Sequence, residues 1–73
     1  MVKEVKTYSA VALNGRQFTH KSKRYYTHVV VVSDNGDQWA ERYCTKQYTA
    51  EREAVRCRKE YENVEVIELR IIS

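Results

Sequence analysis

The stretch Val29-Val30-Val31-Val32-Ser33-Asp34-Asn35-Gly36 constrains this 73-residue chain more than any other. A short run of β-branched residues favours strand over helix, because such side chains lose rotamer freedom in a helix and pack well on a pleated surface. Asn35-Gly36 supplies the two positive-φ positions that a type I′ turn requires, so the chain should fold straight back into a strand from Gln38 to about Lys46. A two-residue loop also sets the register: residues whose numbers sum to 71 should face each other and share a side of the sheet. One face then holds Val32 with Trp39, Val30 with Glu41, His28 with Tyr43 and Tyr26 with Thr45. The other holds Val31 with Ala40, Val29 with Arg42, Thr27 with Cys44 and Tyr25 with Lys46.

The neighbouring segments supply the rest of the layout. Val5, Thr7, Ser9, Val11 and Leu13 alternate along a first strand from Val2 to Leu13, which runs into the turn signal Asn14-Gly15. The strand of the valine run is expected to begin near Lys23. After the hairpin, Thr49 should cap a helix over residues 50–62, with Glu51 and Glu53 at the positive end of its dipole and Arg58 and Lys59 near the other. Its apolar stripe is Ala50, Ala54, Cys57 and Tyr61, with Val55 beside it, and Asn63 ends it. In the tail, Glu65, Ile67, Leu69 and Ile71 alternate against Val64, Val66, Glu68 and Arg70, a final strand. The expected fold is therefore α+β, a single domain over residues 1–73: a small antiparallel sheet of three to four strands with one helix on one face, in the order β-β-β-α-β.

One helix, about 20 Å long at ~1.5 Å per residue, covers one face of that sheet and leaves the other without cover. Trp39 has the most to gain from burial, and the small stripe of the helix leaves room for its ring, so the Trp39 face is assigned to the core. The face left over would show Tyr25, Thr27, Val29, Val31, Arg42 and Lys46 as a partner or homodimer surface. With the faces reversed, the open set would be Tyr26, His28, Tyr43 and Trp39. A third reading has a loop or the N-terminal strand folding over the open face.

Charge is distributed unevenly. Residues 1–33 carry six basic side chains against the single acid Glu4, and residues 34–73 carry seven against nine, so the halves are +5 and −2. Arg16, Lys21, Lys23 and Arg24 could neutralise phosphates while Tyr25 or Tyr26 stacks on bases or packs against a ribose. The bland reading is a solvated loop between two strands. Candidate partner-binding residues are Arg16, Lys21, Lys23, Arg24, Tyr25, Val29, Val31 and Arg42.

Catalysis finds little support. Neither His20 nor His28 stands in a nucleophilic relay pattern with a serine, cysteine or carboxylate, and both glycines fall in hairpin turns rather than in a phosphate-cradling loop. Cys44 and Cys57 are spaced from the histidines in no compact metal-ligand pattern and are expected as reduced, buried thiols, with no metal and no cofactor. No apolar run reaches bilayer length or forms a leader, so no membrane partner and a cytoplasmic location are expected.

Two resemblances add to this. The run Thr19-His20-Lys21-Ser22-Lys23-Arg24-Tyr25-Tyr26-Thr27-His28 resembles a segment with a K-S-x-R-x-Y-T-H core found in small uncharacterised proteins of phages and mobile elements; it covers about a seventh of the chain and implies provenance. A three-stranded sheet followed by a helix opening Thr49-Ala50-Glu51-Arg52-Glu53-Ala54 is similar to AP2 and integrase N-terminal DNA-binding domains, which implies a sheet laid on nucleic acid. This chain lacks their glycine-rich third strand and adds a fourth strand, so their DNA contacts do not carry over. In element order alone, the ending also resembles a small phage inhibitor of bacterial RNA polymerase. The expected function is a non-enzymatic phage or mobile-element accessory protein that binds, and thereby inhibits, a host protein complex of the transcription, restriction or CRISPR type. The alternative is a sheet-based DNA- or RNA-binding module.

Overall fold

A computed structural model describes residues 4–72. Its elements are β1 (Lys6–Val11), β2 (Gln17–Ser22), β3 (His28–Asp34), β4 (Asp37–Cys44), α1 (Gln47–Cys57), β5 (Asn63–Glu68) and β6 (Arg70–Ile71). The class is α+β, but the expected single sheet is replaced by two antiparallel three-stranded sheets, ordered β2-β1-β6 and β4-β3-β5. Helix α1 packs on one face of the β4-β3-β5 sheet, and the β2-β1-β6 sheet packs on the other.

Between the helix and the sheet lie Val30, Val32, Cys44, Ala50, Ala54 and Cys57, with Trp39, Tyr61, Val64 and Val66 at the margin. Between the two sheets lie Ala10, Val29 and Val31, with Phe18, Ala40, Tyr43, Ile67 and Leu69 around them. The face expected to stay open is thus covered by the N-terminal strand and its hairpin partner. Val29 is 0% exposed and Val31 1%, so neither can belong to a surface. The physical reason is economy: each valine is worth about 1.5–3 kcal/mol when buried, and a β-hairpin covers the second face more cheaply than a partner would.

The expected hairpin register holds only near the turn. Asn35 and Gly36 take φ of 52° and 84°, as a type I′ turn demands, and Asp34–Asp37, Ser33–Gln38, Val32–Trp39 and Val31–Ala40 pair as the sum of 71 requires. A register shift between Val30 and Val31 then pairs Val30 with Arg42, Val29 with Tyr43 and His28 with Cys44. One extra residue on β4 moves every later side chain to the opposite face. Arg42, expected beside Val29, therefore lies on the helix side. Tyr43 moves between the sheets, and Cys44 moves beneath the helix.

Other boundaries differ as well. Gln17–Ser22, read as a loop, is a strand whose half-buried Phe18, His20 and Ser22 alternate with exposed Gln17, Thr19 and Lys21. The valine strand starts at His28 rather than near Lys23. The helix begins directly after Lys46, whose extended backbone (φ −139°, ψ 146°) lets its carbonyl accept the Ala50 N–H, so Thr49 sits inside the first turn and caps nothing. The helix ends at Cys57, and the chain then turns to place Tyr61 edge-on to Trp39 at 5.4 Å. Ala50, Ala54 and Cys57 form the expected stripe, whereas Val55 is exposed. The tail is not one strand: β5 pairs with β3, and β6 crosses to pair with β1. The expected start of the first strand at Val2 lies outside the described residues.

Candidate binding surface

On the side opposite the β5–β6 crossover, β2 and the turn before it lie over β4. Arg16 Nη1 donates to the Gln38 carbonyl at 2.9 Å, and Asn14 Nδ2 donates to Gln38 Oε1 at 3.1 Å. The Arg16 guanidinium also sits over the Phe18 ring. At the far end His20 stacks on Tyr43, with centroids 4.2 Å apart and planes at 17°, and Tyr26 meets both rings. Burial pushes the Tyr43 phenol up from its ordinary range, consistent with a ring held between sheets.

Tyr8, fully buried, fixes the path of the basic loop. Its hydroxyl donates to the Arg24 carbonyl at 2.7 Å and accepts the Tyr26 N–H at 3.2 Å. The segment between Ser22 and His28 is thereby anchored from below by backbone contacts, and within it Tyr26 packs inward against Tyr8, His20 and Tyr43. Lys21, Lys23 and Arg24 are exposed, and Tyr25 is 60% exposed. The ion pairs among the described residues involve Arg42 and Arg56, and none involves Lys21, Lys23 or Arg24.

The topology gathers most of the cations of the first half at one end of the molecule, where Glu68 also lies opposite His28. At the opposite end the turns are tied together: the Asn35 N–H donates to Glu62 and the Leu13 N–H to Glu65, close to Asp34 and Asp37. At the basic end lie Lys6, opposite Ser22, then Lys21, Lys23 and Arg24, and Lys46 over the ring of Tyr48. Tyr48 is 57% exposed, and Thr27 N–H bonds to the Cys44 carbonyl, which brings the start of β3 to the end of β4. Lys46, expected on the open face of the sheet, and Tyr48, expected in no site, thus join the basic end. The helix-start position of Tyr48 hid it, since only the strand pairing shows which loops meet.

Of the eight expected surface residues, Lys21, Lys23, Arg24 and Tyr25 are brought together in the open. Arg16 is exposed but lies at the opposite end of β2, occupied with Gln38. Arg42 lies on the helix side, where it pairs with Glu53 at 3.3 Å, and Arg56 bonds the same carboxylate. Glu53 is held below the usual carboxylate range, chiefly by the Arg56 hydrogen bond and against the opposing effect of burial. This network knits β4 to α1. Val29 and Val31 are interior. Both cysteines are free and buried, and burial raises both thiols. No family model, curated protein or solved structure matches the chain. No helix among the described residues is long and apolar enough to cross a membrane.

Proposed function

We propose that the chain is a non-enzymatic accessory protein that works by docking its basic end on an acidic surface of another protein, as a phage or mobile-element product acting on a host complex would. The observation that carries this reading is the placement of Lys21, Lys23, Arg24 and Tyr25: all exposed, close together in the chain, anchored from beneath by Tyr8, and, for the three cations, in no ion pair with another described residue. Folding has no use for four such side chains held in one place, because exposed charges contribute little to stability. A second reading, nucleic acid, is favoured by Tyr25 and Tyr48 standing exposed near the same cations, as a stacking platform beside phosphate contacts would require.

Retention of partners from a bacterial lysate, with and without nuclease and across ionic strength, tests this. Nuclease-resistant capture of a defined protein, lost in the triple variant Lys21→Gln, Lys23→Gln, Arg24→Gln, is the expected result. The variant should shift the thermal midpoint by no more than about 3 °C, since exposed substitutions rarely exceed a few tenths of a kcal/mol. Nuclease-sensitive retention with a steep salt dependence assigns the surface to nucleic acid.

A further inference from the structure

The free edge of β2 offers more than side chains. β2 is an outer strand in the order β2-β1-β6, and its pairing with β1 is regular over all six residues, without a bulge. Ala12 N–H bonds to the Arg16 carbonyl, and the Thr7 carbonyl accepts from Ile72 N–H on the side of β6. With antiparallel alternation, these two bonds fix the rest of the ladder: Phe18, His20 and Ser22 bond to β1, while the N–H and C=O groups of Gln17, Thr19 and Lys21 point away from the sheet.

The other edges are handled differently. β4 is interrupted by its register shift, and Arg16 occupies its outward Gln38 carbonyl. β6 has only two residues. β5 carries Glu65 and Glu68, with Glu62 just before it. Lysines beside an edge deter self-pairing, which is the bland account of Lys21, yet β2 has neither the bulge nor the cap that guards β4. An edge with open main-chain groups and flanking cations fits one kind of occupant by charge and by geometry.

We infer that β2 takes up an extended acidic segment of the partner protein as a fourth strand, its main chain bonding to Gln17, Thr19 and Lys21 and its carboxylates meeting Lys21, Lys23 and Arg24. This rests on the reading of the basic end as a protein-docking surface. The probe is a synthetic peptide of about eight alternating glutamate and valine residues, added to the intact protein while amide hydrogen exchange is followed by residue. Expected is slowing of the Gln17, Thr19 and Lys21 amides by at least about tenfold, with Phe18, His20 and Ser22 protected before and after. Thr19→Pro, which removes an outward N–H and no β1 bond, should lose the peptide, whereas Thr19→Ala should keep it.

Peptide binding that perturbs Lys21 and Lys23 but leaves those three amides fast overturns strand addition and leaves the acidic-surface reading standing. Absence of any peptide binding, while the lysate partner is still retained through the cations, overturns it as well. Protection of the three amides that rises with protein concentration alone assigns the edge to β5 of a second copy instead. Binding of an oligothymidylate in place of the peptide overturns both readings together.

Discussion

The two sheets of this protein share a chain and a neighbour but differ in exposure. The β4-β3-β5 sheet is covered on both faces, by α1 and by the other sheet, and its central strand is a run of four valines, each no more than 1% exposed. The β2-β1-β6 sheet is covered on one face, and its central strand alternates only in part: Tyr8 and Ala10 are buried and Val11 is 56% exposed, but Ser9, whose hydroxyl accepts from the Gln17 amide, is itself 5% exposed. A strand that reads as continuously apolar is one buried on both sides, and an alternating strand is half-solvated. The difference teaches that a second face can be covered from within even when the described residues contain a single helix.

The sharpest way to break the comparison is one substitution placed in each sheet. Val31→Lys puts an ammonium between the sheets, where an unpaired charge costs several kcal/mol, so a domain of this size should lose its cooperative urea transition. Val11→Lys, on the outer face, should leave the midpoint nearly unchanged. Survival of the Val31 variant as a folded monomer would mean that the sheets do not pack as described.

Smaller effects sharpen it. Val30→Ala, under the helix, should cost about 2–3 kcal/mol in denaturant unfolding, and Val29→Ala, between the sheets, a similar amount, because each leaves a cavity in a packed interior. Tyr8→Phe should cost about 1–3 kcal/mol, since the Tyr26 N–H loses its acceptor and the Arg24 carbonyl its donor. That variant should also raise exchange rates in residues 23–27 and weaken partner binding without touching a surface side chain.

The Glu53 network gives a pH signature for the helix side alone. Its carboxyl titrates lower in the folded chain than unfolded, so the unfolded state takes up the proton first. Stability from this group is present above the ordinary carboxylate pKa of about 4.3 and is lost as pH falls through the lowered folded value. Glu53→Gln should therefore reduce stability at neutral pH and flatten the acid limb of a urea-midpoint profile. The least dramatic outcome concerns the thiols: buried and raised, Cys44 and Cys57 should react with a thiol reagent only at the rate of unfolding.

Much of the local structure was legible. Asn35-Gly36 and the valines fix a hairpin because the turn chemistry and the β-branched run agree, and the stripe Ala50, Ala54, Cys57 defines the buried side of α1. β2 was not legible, because Gln17-Phe18-Thr19-His20-Lys21-Ser22 is polar at every position but one, and an edge strand half-open to water needs little apolar signal. The register shift in β4 was also hidden. Its cause is tertiary: it carries Tyr43 to His20 and gives Arg42 to Glu53, and neither partner is near in sequence. The candidate surface followed the same division. The cations of residues 21–24 were visible as a run without acids, but their union with Tyr48 and Lys46 depends on where β3 begins beside β4.

By itself the sequence determined an α+β chain, the turn at Asn35-Gly36, the Trp39 side as the helix side, and a basic first half. These rest on interactions within a few residues, or on charge, which needs no partner to be counted. The tertiary structure alone decided that Val29 and Val31 are interior, that Arg42 faces the helix, and that β2 ends as an open edge beside exposed cations. Those outcomes turn on which segment covers a second apolar face, a competition between distant parts of the chain that no local pattern records.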